Sequence, residues 1–359
     1  MVYSSNPQAI KMLKITTPFR EKEEVFPLIE AGADELYCGY LSPEWVKRYT
    51  AFEFERKGGG SNFTDLKELK EAVGLAHKKD VPVYLTLNGL YVREQYPLLL
   101  KILNQLKEID LDGYIVADIG LLLTLRRKGF KGEIHISTGG TVFNSEAVSF
   151  YKDLGASRII LDRQTSLESM KELSYDNPDI YFEVFILYTL CVYIDGFCTF
   201  LHTYGRDSTE DVSGKGWRDN QKLYLSVALD SRAQSDACCL KHSVQVYNQE
   251  GKREDVKKVN PTFYKHLSDG VECGACAIYD ISKTKIKSLK IVGRQLGSES
   301  RLSGTKFIRS VLDILEDNKE INRQDFIHKS QKLYQKAFGY KKRCRGNNCY
   351  HPQLLRLNG

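Results

Sequence analysis

The chain has 359 residues, of which 42% are hydrophobic and 27% charged. That is enough apolar material for a large core, and it excludes an intrinsically disordered chain. A formal net charge of +6 is small for this length, so the basic runs at Arg126 and Arg127, Lys252 and Arg253, and 341–345 read first as solvated surface. An electrostatic footprint for nucleic acid is the second reading.

The longest apolar run, 185–201, is broken by Asp195 and Gly196, and its β-branched and aromatic residues stand at strand density. It is not a membrane span, and no membrane partner is expected. The stretch from Met1 to Lys14 has no signal-peptide pattern, so a cytoplasmic location is the expectation.

In chain order, short β-rich apolar runs fall at 13–17, 35–39, 83–88, 113–117, 133–137, 158–161, 181–187 and 288–292. Between them, stretches such as 63–78, 95–108 and 145–154 repeat apolar positions every three or four residues, the helical period. Strands alternating with helices predict a parallel sheet, and eight of them predict a closed (β/α)8-type barrel. No glycine-rich dinucleotide fingerprint follows the first strand, where Thr17, Pro18, Phe19 and Arg20 stand instead.

The gap before the last strand is far longer than one helix needs. An insertion over 188–287 is therefore predicted between strands 7 and 8, and long loops at the carboxyl ends of barrel strands build active sites. The predicted barrel with its insertion covers 1–295. A helical carboxyl-terminal extension covers 296–359, with helices at 306–316 and 323–338 and a basic, cysteine-bearing tail.

Six of the nine cysteines fall in the insertion. In a reducing compartment, clustered cysteines mean a metal or redox site more often than disulfides. Cys191 and Cys198 directly follow a predicted inner strand, so both thiols can reach one centre in a barrel mouth. Cys238 and Cys239 are adjacent, and Cys273 and Cys276 have a two-residue gap, a spacing that suits zinc, iron–sulfur clusters or thiol redox chemistry. Cys344 and Cys349 would complete a four-thiolate zinc site with Cys273 and Cys276, a rival use of those two. Cys38 lies in an apolar strand and reads as a small core residue.

Other chemistries lack their parts. The chain has no metalloprotease His-Glu-x-x-His, no nucleophile elbow, no P-loop and no radical S-adenosylmethionine cysteine signature. Gly58, Gly59 and Gly60 read as a flexible loop before an anion cradle. His135, inside the fifth strand, points either into the barrel or into packing.

Glu183, Phe185, Cys191, Gly196 and Cys198 stand in the order and spacing of a family signature. Further matches follow in register: Gly32, Ala33 and Asp34; Asn62 and Phe63; Asn88; Asp118 and Gly120; His135, Ser137, Thr138 and Asn144; and Leu289, Lys290, Gly293 and Arg294. Over 13–294 the sequence resembles the collagenase-like peptidase family, peptidase family U-thirty-two. The resemblance implies a barrel-like fold and, as in several members, a four-cysteine [4Fe-4S] cluster serving oxygen-independent hydroxylation of RNA bases or of a quinone precursor. Departures occur at Leu187 and Tyr188, at Gly139 and at Val292, and the third cysteine comes late.

The family order favours Cys191, Cys198, Cys238 and Cys276 as cluster ligands, with Cys239 and Cys273 as alternates and zinc as a second metal on Cys273, Cys276, Cys344 and Cys349. Glu183, His135 and Arg163 are the catalytic candidates, gathered with Asn88 at the strand ends, and Glu183 facing Arg163 as a simple buried pair is the plainer alternative. The function expected is oxidative modification of an RNA base or a small ring-bearing metabolite without molecular oxygen. A peptidase and a non-catalytic cluster-bearing subunit, with a protein partner, are the rivals. A peptidase needs an activated nucleophile or metal-bound water, and no nucleophile–base pair is visible.

Overall fold

A computed structural model of the chain describes residues 13–49, 61–191, 193–198, 246–247, 253–254, 271–339 and 348–354. Eight parallel strands close into a barrel: β1 (Lys14–Pro18), β2 (Glu35–Gly39), β3 (Val83–Leu87), β4 (Gly113–Val116), β5 (Glu133–Ile136), β6 (Arg158–Leu161), β7 (Tyr181–Leu187) and β8 (Ser288–Ile291). They pair in chain order around the ring, and β8 closes it against β1 through Lys14 opposite Ser288 and Thr16 opposite Lys290. The eight-stranded barrel expected from the sequence is the one observed, with strand bounds matching to within a residue.

Helices cover the outside of the ring: α1 (Val25–Glu30), α2 (Pro43–Val46), α3 (Leu66–His77), α4 (Tyr96–Leu106), α5 (Ile119–Arg127), α6 (Ser145–Asp153) and α7 (Leu167–Asp176). Their starts are written locally. Asp65, Asp118, Asn144 and Ser166 each accept a hydrogen bond from the backbone N–H two or three residues on, satisfying a donor that the helix itself leaves unpaired. The apolar stripe of α4, Leu98, Leu99, Ile102, Leu103 and Leu106, is buried.

The segment before β8 carries the short helix α8 (Ile278–Ile281). Two long helices follow β8, α9 (Ser298–Asp317) and α10 (Arg323–Phe338). Helix α9 lies against β1, where Thr305 and Thr17 share a hydrogen bond of 3.1 Å. It starts eight residues earlier than the sequence pattern indicates. That first part is polar and weakly periodic, and it is held by tertiary contacts of the fully buried Arg301 with Glu24 and with the carbonyls of Arg294 and Leu296. Phe307 of α9 packs edge-on against Phe338 of α10 at 5.2 Å.

Of the insertion, only the ends and a two-residue antiparallel pair, Val246–Tyr247 with Arg253–Glu254, are described. Cys238, Cys239, Cys344 and the triple glycine at 58–60 lie outside the described residues. Among the described residues no helix is long and apolar enough to cross a membrane.

Candidate functional site

The amino-terminal half of the barrel interior is filled by charge. Arg158, the first residue of β6, reaches across the ring to Glu35, the first residue of β2, with hydrogen bonds of 2.5 and 3.0 Å. Strands β2 and β6 are diametrically opposite, so this contact runs through the interior. Arg158 also donates to Glu183 at 2.8 Å, and Lys290 donates to the other Glu183 oxygen at 2.6 Å. Thr16 donates to Glu35 at 2.8 Å and lies 2.6 Å from Ser288, while Lys14, half exposed at the strand start, donates to Glu35 at 2.9 Å. The Lys290 ammonium lies 3.9 Å from the Tyr37 ring centre, and the Arg158 guanidinium 5.0 Å from that of Tyr84.

These contacts fix the ionisation of the plug. Burial works to raise the Glu35 carboxyl, but the hydrogen bonds and charge of Arg158 outweigh it and hold the group down at about 2. Burial likewise opposes the charge on Glu183, and Lys290 and Arg158 overcome it, so its pKa is lowered. His135 is fully buried, and burial first and Arg158 second push its pKa down. Its Nε2 lies 2.6 Å from Glu133, and its Nδ1 has no hydrogen-bond partner among the described residues. The ring is therefore neutral, with Nε2–H donating to Glu133.

The opposite, carboxyl end of the barrel carries the cysteines. β7 runs out into Tyr188 and Thr189, both with left-handed backbone (φ 64° and 52°). For a bulky and a β-branched residue that strain costs on the order of 1–3 kcal/mol each and persists only where the surroundings enforce it. The turn leads into the loop of Cys191 and Cys198. Gln164 holds this loop by donating to the carbonyls of Cys191 at 2.7 Å and Tyr193 at 3.1 Å. Arg163 pairs with Asp195 at 3.0 Å, Thr138 donates to Asp195 at 2.5 Å, and the Asp195 N–H donates to Asp162 at 3.1 Å. Gly196 is required by close approach, since a Cβ there would lie 2.0 Å from the Thr141 methyl.

Burial pushes the Cys191 thiol up, the charges of Asp195 and Cys198 add to that, and the Tyr193 N–H and Arg163 oppose it. Phe197, at the tip of this loop, is 71% exposed.

A second group of cysteines is brought against the same strand end. Cys273 bridges Leu187 of β7 on one side and Cys349 on the other, and all three are buried. Cys276 lies buried one turn further on. The segment 348–354 is thus stitched beside the end of β7, with Cys273 N–H donating to Asn348 at 3.0 Å and Tyr350 N–H to Cys273 at 3.1 Å. Among the described residues no group of three or more His, Cys, Asp or Glu stands ready to hold a metal ion.

The catalytic candidates divide between the two ends. Arg163 and Asn88 follow their strands at the carboxyl end, as expected, and the Asn88 Oδ1 is buried with no hydrogen-bond partner among the described residues. Glu183 and His135 sit deeper, in the charge plug. Glu183 pairs with Arg158 and Lys290 rather than with Arg163, because the alternation of β7 turns it to the same interior layer as the starts of β2 and β6. Arg158, Glu35 and Lys290 were missed in the sequence. The available signal was a charged residue inside a short apolar strand, as at Lys290 between Leu289 and Ile291.

Arg294, just past β8, donates to Asn62 at 2.7 Å over Gly39. A Cβ at Gly39 would lie 1.9 Å from the Asn62 oxygen and 2.1 Å from the Arg294 guanidinium.

The sequence model of peptidase family U32 matches residues 20–344. The tRNA hydroxylation protein P1 of Bacillus subtilis (strain 168) is 26% identical over 304 residues, covering 84% of this chain and 64% of that protein. The tRNA hydroxylation protein P2 of the same organism is 23% identical over 317 residues, covering 86% of this chain and 90% of that one. A 23S rRNA 5-hydroxycytidine synthase of Escherichia coli (strain K12) is 25% identical over 276 residues, covering 72% and 40%. The chain spans less than two thirds of the length of the first and third of these relatives.

Proposed function

This chain belongs to peptidase family U32, and on that premise we propose that it hydroxylates an RNA base without molecular oxygen, using an iron–sulfur cluster held at the barrel mouth. The observation that carries the reading is the pair Cys191 and Cys198 on a loop at the carboxyl end of β7 that Gln164 and Arg163 pin in place. The relatives named for tRNA and rRNA hydroxylation support RNA as the substrate.

The donor set suits such a cluster. The Cys191 thiol, pushed up by burial, is a poor free thiolate, so binding a soft metal ion, which releases its proton to solvent, suits it, and Arg163 stands by as a compensating positive charge. Cys191, Cys198, Cys238 and Cys276 would hold a [4Fe-4S] cluster, which supplies one-electron chemistry when bound. Glu183 and His135 then act as a fixed, water-excluding floor, with Glu183 ionised between two cations and His135 neutral. Arg163 remains at the mouth to orient the loop and an anionic group of the substrate. Phe197 offers a ring on which an unpaired base would stack, worth ~1–3 kcal/mol.

The test is mass spectrometry of RNA nucleosides from cells with and without the gene, grown without oxygen. A modified nucleoside missing only from the deletion strain is the expected result. Unchanged RNA with a missing small metabolite would move the substrate to biosynthesis, and unchanged pools of both with altered peptides would return the reading to proteolysis. Anaerobically purified protein should absorb broadly at roughly 400 nm, as thiolate-bound iron–sulfur centres do.

A further inference from the structure

We infer that the segment 348–354 is a working part of the cysteine site, and that Tyr350 is the residue through which it positions the Cys191–Cys198 loop. This rests on the reading of Cys191 and Cys198 as ligands. It assigns a role to a part of the chain that the sequence linked only to a zinc site.

The geometry starts from the turn at Tyr188 and Thr189. Both residues hold left-handed backbone, and the chain must pass through them to deliver Cys191. Four contacts fix Tyr188 in that state. Its N–H donates to the Glu272 carbonyl at 2.8 Å, its hydroxyl donates to the Ser300 carbonyl at 2.6 Å, and its ring meets Phe338 edge-on at 6.4 Å. The fourth is a short hydrogen bond from the Tyr350 hydroxyl to the Tyr188 carbonyl. This one grips, by its carbonyl, the peptide that joins Tyr188 to Thr189, the unit whose orientation defines the turn, while the Glu272 carboxyl accepts from the Thr189 N–H on its other edge.

Tyr350 is itself held in place. Its N–H is bound to Cys273, whose own N–H is bound to Asn348, and its Cβ sits 3.2 Å from where a Gly274 Cβ would lie. The ring is buried, and the Arg163 guanidinium acts on its hydroxyl. Arg163 in turn grips Asp195 in the middle of the cysteine loop and lies 4.9 Å from the Phe185 ring centre. One phenol therefore touches the entry to the loop directly, and its centre through one arginine.

The opposite face of this segment is separate. Residues facing each other in a bridge point to the same side, so Cys273 and Cys349 share one face while Gly274 and Tyr350 share the other, with Ile186. Tyr350 is thus a positioning residue that acts on the loop from the barrel side.

The test compares Tyr350→Phe with the wild-type full chain, reduced and metal-free, by timed alkylation with iodoacetamide and mass spectrometry of each cysteine. Loss of the hydroxyl should speed alkylation of Cys191 and Cys198 by about tenfold, the worth of one buried hydrogen bond. Cys38, inside β2, should be unchanged. Tyr175→Phe removes a hydroxyl that also donates to a backbone carbonyl, that of Lys283, away from the site, and should change neither rate. Arg163→Lys approaches the same link from the other side with Tyr350 intact and should show the same pattern. Unchanged rates at Cys191 and Cys198 in both variants would overturn the inference, as would equal acceleration at Cys38, which marks general loosening. Iron and sulfide content of the wild-type protein reads the ligand assignment independently, so a full cluster with unaltered alkylation overturns the clamp alone.

Discussion

Replacing Arg158 by Met keeps most of the side-chain volume and removes the one cation that, among the described residues, Glu35 and Glu183 share. Both carboxylates are fully buried, so neither can recover its loss from water. Removing one partner of a buried ion pair costs roughly 3–5 kcal/mol, because the remaining charge is left uncompensated. Glu183 keeps Lys290 at 2.6 Å, and Glu35 keeps Lys14 at 2.9 Å and Thr16 at 2.8 Å, which places the expected loss toward the lower bound, about 3 kcal/mol.

The loss should depend on pH with a definite sign. In the wild type Glu35 titrates at about 2, below its usual value of 4.5, so its contribution is present above pH 4.5 and fades as pH falls toward 2. In the variant burial is opposed only by Lys14 and Thr16, the carboxyl rises from its wild-type value, and the penalty of its buried charge shrinks as pH falls. Urea unfolding of both proteins at pH 7.5 and pH 4 is the assay. The difference in stability should be large at pH 7.5 and clearly smaller at pH 4. A loss under about 1 kcal/mol at pH 7.5, or an equal loss at both values, refutes the assignment of Arg158 as the counter-charge of the plug.

Three further outcomes are expected. Cys191→Ala should abolish iron and sulfide retention with little change in the melting temperature of the metal-free chain, and full iron content in that variant would remove Cys191 from the ligand set. His135 titrates below its usual 6.5 because burial disfavours its charged form. The unfolded chain then takes up this proton first, so stability should begin to fall below about pH 6.5. His135→Gln should remove that part of the acid slope, which a pH series of denaturant midpoints will read. Gly39→Ala must displace both the Asn62 oxygen and the Arg294 guanidinium and should cost ~1–3 kcal/mol by thermal unfolding; a neutral result would show that the Asn62–Arg294 contact yields without penalty.

The barrel was legible in the sequence because its signals are local. Each strand is a short apolar run, each helix repeats every three or four residues, and Asp65, Asp118, Asn144 and Ser166 mark helix starts with their own side chains. The pair Cys191 and Cys198 was legible for the same reason, since strand, turn and thiols are contiguous. The charge plug was not. Arg158 and Glu35 are 123 residues apart and meet only because closing the ring sets their strands opposite one another. Periodicity says that β7 alternates between two faces, but only the closed ring decides that Glu183 faces Arg158 and Lys290 while Arg163, past the end of β6, turns to Asp195. The same holds for Tyr350. Its neighbour Cys349 points to a metal site and not to a clamp, and the partners of Tyr350, Tyr188, Cys273 and Arg163, come from three separate segments that meet only at the mouth of the barrel. Sequence determined which residues could form strands, helices and metal-binding thiols. Tertiary closure decided which charges neutralise one another and which segment grips the cysteine loop, because those contacts depend on distances through space that no local pattern encodes.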